Sequence, residues 1–338
     1  MSKKHGKQTV VFGKPVGIAA TASVVGAKEG QGPLGTSFDI VEDDMMLGQK
    51  SWEAAESQLV KKAIDLCVKK SNTALSSFDY IIAGDLLNQN VGSVFGLLEA
   101  ARPYLGIFGA CSAMGEGLAL GSMLIDGGFG DNILVAASSH FCTAEKQFRY
   151  PLEFGSQSPP TASWTVTGAG AAALSHNGGD VVVTGCTIGK MIDMGVKDAS
   201  NMGAAMAGAA ADTIMTHLQD KNLHPSHYDA IITGDLGYVG SDLLLQLLKK
   251  EGIDISQNHK DCGIEIFDKN TQDTQNGGSG CGCCATVFAS HFYPHLQSER
   301  LSRILFVPTG ALMSPLSVQQ GKSIPSIAHA VVIERRGI

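Results

Sequence analysis

Aromatic side chains are scarce. Phe, Trp and Tyr make up 6% of the 338 residues, so the sequence has little with which to build stacking surfaces. Charged residues are also few, at 17%, the formal net charge is −7, and no basic stripe occurs. These features argue against nucleic acid as a partner. No uninterrupted apolar run reaches the roughly 18 residues that a spanning helix needs. The chain is therefore expected to be soluble, or at most peripheral to a membrane, with no transmembrane segment. Met1 to Lys7 is basic and Gly17 to Ala27 is small and apolar, which loosely mimics an export signal. Lys14 and Pro15 interrupt that stretch, so strand and loop are expected there and a signal peptide is not. Without export, the eight cysteines are expected to be reduced thiols. Cys281-Gly282-Cys283-Cys284 contains a Cys-x-x-Cys, but no second Cys/His pair stands nearby at ligand spacing. A structural zinc wants four ligands, so no metal site is assigned there.

What is present is a large apolar fraction, 44%, and 41 glycines. That suits an ample core with closely packed helices. Short strand patterns alternate with helical ones. Thr9 to Phe12 and Val16 to Val25 read as strands, and Ser51 to Cys67 as an amphipathic helix. Phe78 to Leu86 reads as a strand, Gly92 to Arg102 as a helix, and Leu105 to Ala110 as a strand. Ser138 to Thr161 reads as a long loop or lid. The segment Tyr228 to Leu236 then repeats Phe78 to Leu86, keeping the first aspartate, both isoleucines, the Gly-Asp pair and the leucine. The offset is 235 − 85 = 150. Two related halves follow, residues 1–190 with Cys111 and residues 191–338, each roughly β-α-β-α-β. Alternating strands and helices imply mostly parallel sheets covered on both faces. Two stacked halves would form an α/β fold of five layers, α-β-α-β-α.

The stretch Ala110-Cys111-Ser112-Ala113-Met114-Gly115-Glu116-Gly117 places a cysteine where a strand runs into a helix. Ala113, Gly117, Leu120 and Leu124 set the helical period, and Gly127-Gly128 ends it. Two readings stand. Unpaired amides and the helix dipole would favour a nucleophilic thiolate. Equally, a small buried cysteine would suit a tight packing point.

The run Gly109 to Ala137 resembles the nucleophile region of thiolases and ketoacyl synthases. Thr167-Gly168-Ala169-Gly170-Ala171, Asn276 to Thr286 and Thr309-Gly310-Ala311-Leu312 resemble that superfamily's later glycine-rich segments. A closer resemblance is to the stage V sporulation protein AD family of endospore-forming bacteria. Its segments are Gly32-Pro33-Leu34-Gly35, Ala83 to Asn90, Phe108 to Ser112, Ser138-Ser139-His140, Ala144 to Pro151 and Gly277 to Cys281. The resemblance implies a thiolase-like fold. It also implies binding of dipicolinic acid, pyridine-2,6-dicarboxylate, together with the other subunits of a spore membrane channel complex. That complex takes the compound up in sporulation and releases it in germination. The implied location is the spore, peripheral to the inner membrane, and fold analogy implies a homodimer.

The residues bear on this implication. Condensation needs two groups beside the thiol to stabilise oxyanions. Where the superfamily carries a histidine this chain has Asp235, and its Gly-Asn turn position holds Gly278-Ser279. Near the second thiolase cysteine stand Val307-Pro308. A binding pocket in place of a catalytic one is therefore expected, with Cys111 kept as the nucleophile equivalent and no cofactor. For a dicarboxylate, His140, Lys146 and Arg149 offer positive charge, and the helix after Cys111 offers amides. Asn88, Ser279 and Cys281, within the resembling segments, complete the expected ligand-binding set. Asp85 and Asp235 could hold a calcium ion travelling with the ligand, or each could simply cap the turn that follows it. The competing reading is a cysteine-dependent acyltransferase or thioesterase acting on a coenzyme A ester.

Overall fold

The computed structural model describes residues 3–148 and 158–337. The first unit runs β1 (Thr9–Gly26), α1 (Trp52–Ser71), β2 (Tyr80–Gly84), α2 (Val91–Leu97) and β3 (Tyr104–Gly106). It continues with α3 (Ala113–Asp126), β4 (Asn132–Ser139), α4 (Phe141–Phe148) and β5 (Gly168–Ser175). The second runs β6 (Val181–Thr187), α5 (Met202–Lys221), β7 (Ala230–Thr233), α6 (Gly237–Lys250) and β8 (His259–Asp261). It closes with α7 (Cys281–Val287), β9 (Arg303–Val307) and β10 (Ala330–Arg335). The strand order is β8-β7-β9-β10-β6-β1-β5-β4-β2-β3. Each unit therefore has the same order, β3-β2-β4-β5-β1 in the first and β8-β7-β9-β10-β6 in the second. In each, only β5 or β10 pairs antiparallel with its neighbours. By this pairing β6 counts as the first strand of the second unit, ahead of residue 190.

The repeat reaches down to local chemistry. Helix α1 starts where the Ser51 side chain accepts from Ala54 N and stops at Asn72 in the left-handed region. Helix α5 starts where Asn201 accepts from Ala204 N and stops at Asn222 in the same conformation. Both ends share one offset, 202 − 52 = 150 and 221 − 71 = 150. An Asx or Ser cap and a left-handed Asn satisfy backbone groups that a helix end leaves free.

Three expectations change. The two strands expected around Lys14-Pro15 are one 18-residue strand, β1. Its register against β6 shifts between Val11 and Val16, and this irregularity absorbs a proline that cannot donate to a ladder. Its first part pairs with β6 and its second with β5, so one strand links the sheet of the second unit to that of the first. The strand expected at Leu105 to Ala110 is only the short β3, because the chain turns sharply before Cys111. The expected loop after Ser138 holds the end of β4 and helix α4 instead; the short α4 buries only Thr143 and Ala144, a faint periodic signal.

Five layers result. Leu59, Val60, Ala63, Ile64 and Cys67 of α1 pack on Ala22, Ile81, Leu134 and Ala171 of the first sheet. Met206, Ala210 and Ile214 of α5 pack on Ile231, Leu305 and Val332 of the second. Between the sheets lie α3 and α7, whose Met114, Leu118, Ala285 and Val287 join a core with Ile82, Val135, Ile232 and Phe306. The central helices have almost no room. A Cβ on Gly117 would lie 2.6 Å from Val135 Cγ1, and one on Gly115 would lie 3.0 Å from Pro308. On the facing strand β5, a Cβ on Gly170 would lie 2.4 Å from the Ala285 backbone. Gly170→Ala is expected to lower stability by about 1–3 kcal/mol, because backbone cannot yield as a side chain can. Urea unfolding measures this, and an unchanged midpoint would refute the tight sandwich.

Candidate functional site

Three chain segments meet at Cys111. The first is the turn into α3. Ala110, just before the cysteine, sits at φ 49°. That left-handed conformation costs an alanine about 1–2 kcal/mol, and here it swings the chain from Gly109 into the helix. The second is the end of β7, which delivers Asp235. The third is the 276–280 turn, which delivers Ser279. Ser279 Oγ lies 3.8 Å from Cys111 Sγ and donates to Asp235 Oδ2 at 2.6 Å. Thr309 Oγ1 donates to Asp235 Oδ1 at 2.7 Å. All four side chains are buried.

Of the two readings of Cys111, this setting favours the buried thiol over the thiolate. Burial first, and then the charge of Asp235, push the Cys111 thiol well above its ordinary value. Desolvation together with an adjacent carboxylate outweighs the helix dipole. Burial likewise raises Asp235 above the usual carboxylate range, against the pull of its hydroxyl donors. Cys111 opens onto a cavity of about 70 Å³. Leu86, Phe108, Phe148, Met202 and Met313 make it apolar. Its polar groups are Cys111, Thr165, Ser200, Ser279 and Glu145.

The other expected residues go elsewhere. Asp85 is buried and accepts from Leu87 N at 2.9 Å and Ser93 N at 2.7 Å, so it caps the turn and helix after β2. Its repeat partner Asp235 does not cap. In the second unit that role falls to Asp261, which accepts from Leu236 N at 2.9 Å and Gly237 N at 3.0 Å. Asp261 was missed in the sequence because its register partner in the first unit is Gly106. Released from capping, Asp235 turns to Ser279 and Thr309. The two aspartates thus serve separate networks, and no group of three His, Cys, Asp or Glu suited to a metal occurs among the described residues.

His140 is fully buried. Its Nδ1 accepts from Cys142 N at 3.1 Å and its Nε2 donates to Met45 O at 2.9 Å, the pattern of a neutral ring. Burial holds its pKa down, so it supplies no charge to an anion. Lys146 reaches out to Glu53 at 2.6 Å and does not line the cavity. Asn88 is exposed in a neighbouring groove, where its N–H donates to Gln147 Oε1 at 3.2 Å. Cys281 donates its thiol to Ala110 O at 3.0 Å, which holds the strained turn in place. Arg149 lies outside the described residues.

A model of the stage V sporulation protein AD family matches residues 6–334. The chain belongs to this family. Stage V sporulation protein AD of Bacillus subtilis (strain 168) is 47% identical over 335 residues, covering 99% of each chain. A sporulation function follows from that membership. Among solved structures, an OleA variant from Xanthomonas campestris matches with a TM-score of 0.64 at 13% identity, covering 96% of this chain and 97% of that one. The 3-oxoacyl-[acyl-carrier-protein] synthase III of Aquifex aeolicus VF5 matches with a TM-score of 0.57 at 13% identity, covering 94% and 99%. These likenesses establish the thiolase-like fold of this family member. No helix among the described residues is long and apolar enough to cross a membrane.

Two predictions follow from the buried carboxyls. Asp235→Asn removes the charge beside the sulfur, so the pH midpoint for Cys111 alkylation by iodoacetamide is expected to fall. A midpoint that stays or rises refutes the electrostatic account. Glu56 hears a second carboxylate: burial first, then Asp85, push it up to about 8 from the ordinary 4.5. A raised folded pKa means that the folded state holds the proton more tightly. Its stabilising contribution is complete below 4.5 and is lost as pH rises through about 8. Glu56→Gln should therefore flatten the fall in Tm over that window, and a fall identical to that of the parent chain argues against it.

Proposed function

We propose that this chain binds dipicolinic acid in the Cys111 cavity without turning it over. It would do so beside the other subunits of a spore membrane channel complex, peripheral to the inner membrane. One observation carries the non-enzymatic part. Both Asp235 oxygens already accept hydroxyl protons, and Ser279 spends its own proton on Asp235. Neither group has a proton to aim at an oxyanion, and losing one oxyanion donor costs an acyl-transfer site about 10²–10³ in rate. The protonated thiol agrees with this. For the ligand, apolar walls suit an aromatic ring, while Thr165 and Ser200 suit carboxylate oxygens. None of the described lining residues is a lysine, arginine or histidine. A calcium ion carried with the ligand would balance the charge that these residues leave unmet.

Titration calorimetry with dipicolinate, with and without calcium, tests the reading. Saturable heat is expected, kept in Cys111→Ala and lost in Ala311→Trp, which fills the cavity. Absence of heat at about 1 mM ligand in both forms, a Kd too weak for a receptor, overturns it. A Cys111 adduct by mass spectrometry after incubation with acyl coenzyme A would instead favour the acyltransferase or thioesterase reading.

A further inference from the structure

We propose that a recess on the second unit, sharing no lining residue with the Cys111 cavity, is a binding site for a small oxyanion, either a phosphate or a carboxylate. The recess holds about 280 Å³, between the end of α5, the first part of β1, and strands β6 and β10. Lys221, His227 and Arg303 converge on it. The one carboxylate in the wall, Glu334, is taken by Arg303 Nε. Lys221 has no ion pair among the described residues, and the Asp220 carboxylate next to it accepts from the Lys7, Gln8 and Thr9 amides. The three bases are close enough to act on one another. Burial first, then Arg303, and more weakly Lys221, hold the His227 pKa down, with Glu334 opposing.

The floor is built as well. His217 is completely buried, with Nδ1 2.7 Å from Thr187 Oγ1 and Nε2 against the Tyr228 hydroxyl. Thr9 Oγ1 continues the chain at 2.8 Å from Thr187 Oγ1 and donates to Asp220 Oδ2 at 3.0 Å. This network fixes the Tyr228 ring and the strand edges of the recess.

The internal repeat shows that the fold does not require these groups. At the same positions the first unit has Cys67 for His217, Ser71 for Lys221, Ser77 for His227 and Phe78 for Tyr228. Through the strand registers it has Asn132 for Arg303 and Ser175 for Glu334. Cys67 and Phe78 there are plain core. Where the first unit has the neutral Ser71, Ser77 and Asn132, the second has three bases around an open recess, a change that packing does not explain. Arginine and lysine together suit an oxyanion through fork geometry and point charge.

The test is titration calorimetry of the full chain with inorganic phosphate and, separately, glutarate, with sedimentation on phosphatidylglycerol vesicles as a third arm. Saturable binding of at least one small ion is expected, weakened about tenfold or more in Lys221→Glu and unchanged in Cys111→Ala. His227→Ala, on the surface, should weaken it as well, with Tm unchanged as the check on folding. No saturable binding of either ion overturns the proposal, and so does binding that Lys221→Glu leaves intact. Vesicle binding that Lys221→Glu abolishes, with neither small ion bound, also overturns it and points to a lipid phosphate.

Discussion

The constraint on which everything else rests is the thinness of the layer between the two sheets. Helices α3 and α7 enter that layer from opposite units, and each must approach strand backbone closely. Glycine, alanine and cysteine meet this demand because larger side chains would force the sheets apart. The same closeness brings Cys111, at the head of α3, against Ser279, just ahead of α7. The site is thus a by-product of packing. Where two thin helices begin face to face, their first residues share a small, buried space.

That burial decides the chemistry. In water the positive end of a helix would draw a thiol toward its anion. Buried beside Asp235, the thiol is held toward its protonated form. The carboxylate is kept in turn by two hydroxyls and the distant amide of Gly280. Buried polar groups of this kind survive only when satisfied within the protein. Here the satisfaction is directed inward, among Asp235, Ser279 and Thr309, and not toward a reacting oxygen.

Duplication explains how the two units could diverge without changing shape. Strand order, helix caps and the Gly-Asp strand ends agree between them. The differences sit at particular positions. Asp261 in place of Gly106 took over the capping of a turn and freed Asp235. His217 and Tyr228 in place of Cys67 and Phe78 turned part of an apolar core into a hydrogen-bonded floor. Each exchange kept the backbone and altered only the side chains at matching positions.

The sequence by itself determined the alternation of strands and helices, the repeat and the five layers, while only its resemblance to a known superfamily put Cys111, Asp235 and Ser279 at one pocket. These are local or periodic properties: apolar spacing, capping residues, glycine at contact points and a constant offset between copies. It also carried the family resemblance in long, specific segments. Tertiary structure decided the rest. Whether Asp85 caps a turn or faces a cavity depends on which amides lie within 3 Å of it. Whether His140 is charged depends on its burial between the Met45 carbonyl and the Cys142 amide. Lys146 turned outward because Glu53 of α1 comes within reach only after folding. Side-chain direction and desolvation come from residues far apart in the chain, so no local pattern records them.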